Sequence, residues 1–181
     1  MALALSGTSN GSLNNLSLSG NTATIVDTGK AGTIVQVVQA TTATEVTVST
    51  TTYTDTGLSA SITPTSSSNK ILVMVCQYLN STRTVNDNGF GVKILRDSTV
   101  IFTPTENTTG PLSAYVDNSR NLICYHSIQY LDNPATTSSI TYKTQGRPYT
   151  TADSGSVTFN WDGGTTTGNP CSVINLMEIV A

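Results

Sequence analysis

Apolar and polar residues alternate with a period of two along most of this chain. Leu58, Ala60 and Ile62 alternate with Ser59, Ser61 and Thr63, and Leu122, Cys124, His126, Ile128 and Tyr130 alternate with Ile123, Tyr125, Ser127, Gln129 and Leu131. Successive side chains of a strand point to opposite faces, so this period predicts strands. They are expected at Thr33–Gln39, Glu45–Ser49, Thr52–Gly57, Leu58–Pro64, Lys70–Leu79, Gly89–Arg96, Thr99–Phe102, Asn121–Leu131, Ser139–Thr144, Ser156–Trp161 and Ser172–Val180. The first two read as a pair joined by Ala40–Thr44, and Asp97-Ser98 reads as a two-residue hairpin turn. Lys70–Leu79 is nearly continuous in apolar residues, which predicts burial on both faces. Both faces of Asn121–Leu131 are half apolar, as in a sandwich interior or at a subunit contact. Gly110-Pro111, Asn133-Pro134, Arg147-Pro148 and Asn169-Pro170 punctuate these runs, and no segment sustains a 3.6-residue period. The fold class is therefore all-β, an antiparallel sandwich of short strands.

Residues 1–32 differ from the rest, and the expected division is an extended N-terminal arm, 1–32, followed by a head, 33–181. The arm is Gly, Ser, Asn and Thr with single aliphatics at Leu13, Leu16, Leu18, Ile25 and Val26. Such a segment cannot bury enough apolar area by itself to offset its ordering entropy. It is expected to anchor on a neighbouring subunit or another component through Leu13, Leu16, Leu18 and Ile25.

Composition narrows the function. Charged residues are 10% of the chain, against roughly 25% in an average domain, while Ser and Thr together are about 30%. Outward positions are thus filled by hydroxyls, and β-branched Thr suits a pleated strand. The net charge of −3 and eight scattered basic residues give no phosphate-binding cluster, so nucleic acid is not an expected partner. No apolar run approaches the roughly 20 residues of a membrane-spanning helix. Met1–Ser6 lacks the basic start and apolar length of a secretory leader. Cys76, Cys124 and Cys171 have no metal-ligand spacing and are expected to be buried, reduced thiols, which fits synthesis in a reducing cytoplasm.

The chemistry-bearing residues do not form a catalytic pattern. His126 is the single histidine, in mid-strand, and is expected to be an interior or interface side chain. Asp27, Asp55, Asp87, Asp97, Asp117, Asp132, Asp153 and Asp162 lie mostly beside turn residues, where Asp bonds nearby backbone. Glu178 is the one acid in an apolar context and is expected to pair with a cation or an interface donor. Asp87-Asn-Gly89 and Asp162-Gly-Gly164 share pieces of a calcium loop without its ligand count. No catalytic residue, cofactor or metal site is therefore assigned, and Tyr149, in a turn-rich stretch, is the best surface-contact candidate. The expectation is a non-enzymatic protein that packs against copies of itself.

Asp55-Thr-Gly-Leu-Ser-Ala-Ser-Ile-Thr-Pro64, Ser66-Ser-Ser-Asn-Lys-Ile-Leu-Val73, Gly91-Val-Lys-Ile-Leu-Arg-Asp-Ser-Thr99 and Ser172-Val-Ile-Asn-Leu-Met-Glu-Ile179 together carry a resemblance. Over about residues 52–181 the chain resembles the head domain of tail-fibre and other virion proteins of bacteriophages, notably marine and cyanobacterial ones. The resemblance implies a jelly roll like the tumour-necrosis-factor and C1q heads, assembling as a homotrimer. It places the closing strand, with Val173, Ile174, Leu176, Met177 and Ile179, in the core and near the trimer axis. Thirty-two residues are too few for a fibre shaft. The expectation is thus a short fibre or knob on the virion surface, held to capsid or tail proteins by its arm and contacting a host glycan or protein. The alternative is a capsid decoration protein that cements the head shell.

Overall fold

The computed structural model describes residues 30–85, 88–104, 106, 107, 110, 111, 113–116, 121–163 and 170–181. The strands are β1 (Ile34–Thr42), β2 (Val46–Val48), β3 (Thr54–Ile62), β4 (Lys70–Thr82), β5 (Asn88–Arg96), β6 (Thr99–Phe102), β7 (Glu106–Asn107), β8 (Gly110–Pro111), β9 (Ala114–Val116), β10 (Asn121–Asp132), β11 (Ile140–Pro148), β12 (Ser156–Phe159) and β13 (Ser172–Ile179). The only helical element among the described residues is a 3-10 turn at Ala152–Ser154.

Antiparallel couples are nested along the chain: β1 with β13, β2 with β12, β3 with β11, β4 with β10, and β5 with β6. Cross-pairing of β13 with β4 and of β11 with β5 joins the couples into two sheets. The six-stranded sheet holds β1, β13, β4, β12, β2 and β10, and the five-stranded sheet holds β3, β11, β5, β6 and β9. A long hairpin rolled so that its couples alternate between two layers is a jelly roll. The antiparallel sandwich read from the sequence is therefore the observed fold.

The core lies between the sheets. From the six-stranded sheet come Ile71, Val73, Val75, Leu79, Ile174 and Leu176, and from the five-stranded sheet Leu58, Phe90, Val92, Ile94 and Tyr142, each at most 3% exposed. Alternation explains the choice, because these residues share one parity on each strand. Gly146 of β11 is needed where the layers meet, since a Cβ there would strike the ring of Phe159 from the opposite sheet.

Several strand expectations change in detail. Thr52–Gly57 and Leu58–Pro64 are one strand, β3, passing through Gly57 at φ +83°. The first two strands do not pair with each other: β1 pairs with β13 and β2 with β12. A period-two pattern fixes which face a residue takes and leaves the partner strand open. The β5–β6 hairpin has the expected Asp97-Ser98 turn, with Arg96 opposite Thr99 and Asp97 in the left-handed region at φ 52°. Strand β4 is buried on one face and half-covered on the other, because its sheet has a second layer on one side only. The boundary set after residue 32 falls inside a turn, where Thr33 N–H donates to Lys30 O and Gly32 N–H to Val180 O. The arm candidates Leu13, Leu16, Leu18 and Ile25 lie outside the described residues.

Candidate functional site

The outward face of the six-stranded sheet is the most distinctive surface among the described residues. Residues directly opposite in register share a face, so the face can be read in rows. One row is Val37, Met177, Leu72 and Leu131, apolar throughout. The next is Gln39, Asn175, Met74 and Gln129, with Gln39 Nε2 donating to Asn175 Oδ1 at 2.7 Å. Thr41, Val173, Cys76 and Ser127 follow. Tyr78 and Tyr125 then stack with ring centroids 4.8 Å apart, and Thr47, Thr158, Asn80 and Ile123 close the face. At the opposite margin stand Ile34, Ile179 and Lys70, the last being the one charged residue in these rows. Val37 and Tyr125 are each 58% exposed, and Ile34, Ile123 and Leu131 about half exposed. One row of this face is apolar throughout, and the rows beside it are uncharged but largely polar.

The outward face of the five-stranded sheet is mainly polar, with Leu95 and Val100 as its apolar exceptions. Lys143 donates to Asp55 at 2.9 Å, Gln145 Nε2 donates to the same carboxylate at 2.6 Å, and Ser61 and Thr141 share a hydroxyl bond of 2.8 Å. Lys93 Nζ lies 4.5 Å from the centroid of the Tyr53 ring, with the Arg147 guanidinium 5.5 Å away.

The closing-strand candidates divide between two roles. Ile174 and Leu176 are 0% exposed and belong to the core. Val173, Met177 and Ile179 have the opposite parity and form part of the outward face. Tyr149 is half-buried, its N–H bonded to Gly89 O, while Tyr125 is the aromatic that stands exposed.

His126 points inward from β10 and meets Phe90 edge-on at 5.3 Å, and burial pushes its pKa below the ordinary value. No hydrogen bond among the described residues joins it to a hydroxyl or thiol. Asp132 is not a turn residue but ends β10, 6% exposed, accepting from Arg96 Nη1 at 2.8 Å and Tyr142 Oη at 2.7 Å. Burial and that carboxylate push the Tyr142 phenol far up. Cys76 and Cys124 are half-buried, but Cys171 is exposed, because it precedes β13 and escapes the inward alternation. Among the described residues no group of three or more His, Cys, Asp and Glu is placed to hold a metal, and no helix is long and apolar enough to cross a membrane. Asp87 and Gly164 of the two calcium-loop fragments lie outside the described residues.

Sequence reasoning missed a polar network that bridges the sheets. Gln77 Oε1 accepts from Thr144 at 2.9 Å and Thr56 at 3.3 Å across the sandwich, and Gln77 Nε2 donates to Ser172 Oγ at 2.8 Å. Ser172 in turn donates to Asn160 Oδ1, whose Nδ2 reaches Thr44 O at 2.8 Å. Thr56, Gln77, Thr144, Asn160 and Ser172 are all 0% exposed. The signal was present as Gln77, a polar residue at a core parity position in an apolar run.

No protein-family model and no curated protein matches the chain. Among solved structures, one titled "Structure of infectious bursal disease virus Gt strain" is similar over 91% of this chain, at 13% identity and TM-score 0.36. Another, of the Gx strain of that virus, is similar over 83% of this chain, at 15% identity and TM-score 0.32. This chain spans 42% and 40% of those two chains, respectively. At these scores the likeness carries no argument about function.

Proposed function

We propose that this protein is a non-enzymatic virion structural component, a homotrimeric knob or short fibre on the particle surface, attached through its N-terminal arm. The observation that carries the assembly half is the uncharged outward face of the six-stranded sheet, whose row Val37, Met177, Leu72 and Leu131 is apolar from edge to edge. A second copy covering it would remove Tyr125 and Val37 from water, where the hydrophobic effect favours burial. The virion half rests on the resemblance of Asp55–Pro64, Ser66–Val73, Gly91–Thr99 and Ser172–Ile179 to phage virion head domains. Sedimentation equilibrium of the isolated protein tests the trimer: three times the 19.0 kDa chain mass is expected, and a 19.0 kDa species at micromolar concentration would overturn it. The capsid-decoration reading shares this surface and arm. A map of the particle separates the two, since a cement protein would sit between shell subunits and a knob on the tail or on a projecting vertex.

A further inference from the structure

The six-stranded sheet has two long edges, and among the described residues neither is paired. On one side β1 bonds only to β13, and on the other β10 bonds only to β4. Strand edges of soluble proteins are ordinarily blunted by charge, proline or a covering segment, because a bare edge invites another strand. Strand β10 runs for 12 residues with no Lys, Arg, Pro or Gly, and its one acid is Asp132 at the very end. Strand β1 carries no charge and no proline over its 9 residues.

The direction of the backbone groups follows from β4. Tyr78 turns its N–H to Ser172 Oγ and its C=O to Asn160 N–H, each at 3.0 Å, on the side of β13 and β12. These groups alternate sides along a strand, so Gln77 faces β10 and its partner His126 faces back. The N–H and C=O groups of Ser127, Gln129 and Leu131 therefore point off the sheet. Cys76 shares the parity of Tyr78 and faces Val173, so Ile174 faces Ala40. That leaves the backbone groups of Val37, Gln39 and Thr41 pointing off the other edge.

The two edges match each other. Three successive antiparallel pairings make β1 and β10 run in opposite directions, so β1 of one copy set beside β10 of the next continues the sheet antiparallel. In the register that prolongs the existing rows, Val37 meets Leu131, Gln39 meets Gln129 and Thr41 meets Ser127, apolar to apolar, amide to amide and hydroxyl to hydroxyl. All six are exposed in the single chain. On the core side the same register brings half-buried Val38 against half-buried Tyr130. We propose that copies of this chain join by strand addition, β1 of one onto β10 of the next, in that register. Such a joint is head-to-tail, the kind of contact that closes a ring. It rests on the self-association proposed above and names the edges that carry it.

Cysteine pairs in the full chain test the joint, with the exposed Cys171 first replaced by Ser. Gln39→Cys with Gln129→Cys should form an intersubunit disulfide on mild oxidation and run as a covalent trimer in a denaturing gel. Hydrogen-bonded partners across such a joint lie about 5.5 Å apart at Cα, within disulfide reach. Gln39→Cys with Tyr125→Cys, off that register, should stay uncrosslinked. Gln129→Pro removes an N–H aimed off the sheet, so it should leave strand content unchanged by circular dichroism while the protein sediments as a monomer. A wild-type trimer that gives no in-register crosslink and survives Gln129→Pro would overturn this joint and leave the self-association reading standing. A wild-type monomer would sink both. Covalent dimers from Ser127→Cys alone would mean that β10 pairs with β10, which also overturns it. A covalent ladder running beyond three copies would keep the joint and overturn the trimer.

Discussion

The two outward faces of the sandwich are built from strands of the same kind, yet one carries paired charges and the other an apolar row among uncharged residues. On the five-stranded sheet, Asp55, Lys143, Gln145, Ser61 and Thr141 satisfy one another across strands, so water can cover that face at little cost. On the six-stranded sheet, Val37, Leu72, Leu131 and Met177 form a row with no polar atom to offer. An antiparallel sheet of a monomer ordinarily buries one face and solvates the other. Here the five-stranded sheet keeps closer to that rule than the six-stranded sheet, whose apolar row is the surface on which the proposed self-association rests.

The sharpest way to break the comparison is to move charge between faces. Val37→Asp with Tyr125→Asp should abolish self-association, a loss visible as a monomer by light scattering with strand content unchanged by circular dichroism. The matched pair Ser59→Asp and Ser61→Asp on the polar face should leave the oligomer intact. Equal effects of the two pairs would erase the distinction between the faces.

The comparison also depends on the sheets being held face to face, which the Gln77 network does. Gln77→Leu removes the acceptor that the Thr56 and Thr144 hydroxyls share and should cost about 2 kcal/mol in chemical denaturation. Adding Thr144→Val should recover part of that loss, because the Thr144 hydroxyl no longer needs the acceptor that Gln77 supplied.

A smaller effect is expected with pH. Burial lowers the pKa of His126 below 6.5, so the unfolded chain takes up the proton first. Stability is therefore full above about pH 6.5 and declines as pH falls below it, which midpoints between about pH 7 and pH 5 would register. His126→Phe should flatten that slope. Smallest of all is Asp55→Asn on the polar face, worth under about 1 kcal/mol because the carboxylate is 54% exposed and salt screens it. The Lys143 bond holds Asp55 below 3.8, so its contribution is full above that pH and fades below it.

Which side chains face inward was legible in the sequence: Leu58, Ala60 and Ile62 alternate into the core as read. Which strands pair was not, because β1 finds its partner 130 residues away, from Thr42 to Ser172, and no local pattern encodes that distance. The closing strand was read as one unit, yet its two parities serve different surfaces, Ile174 and Leu176 inside and Val173, Met177 and Ile179 outside. Glu178 stood out in the sequence as an acid among apolar residues, and its donors proved to be the Thr65–Asn69 turn, distant in sequence.

The place of β13 sets the timing of synthesis. It lies between β1 and β4, so the six-stranded sheet cannot close until β13 itself has been made. Until then β1 has no strand to join and the β13-facing edge of β4 stays open, a state prone to sticking to other nascent chains. The outward face of the six-stranded sheet is therefore completed only once β13 is in place, and a copy stalled before it would lack Val173, Met177 and Ile179 on that face.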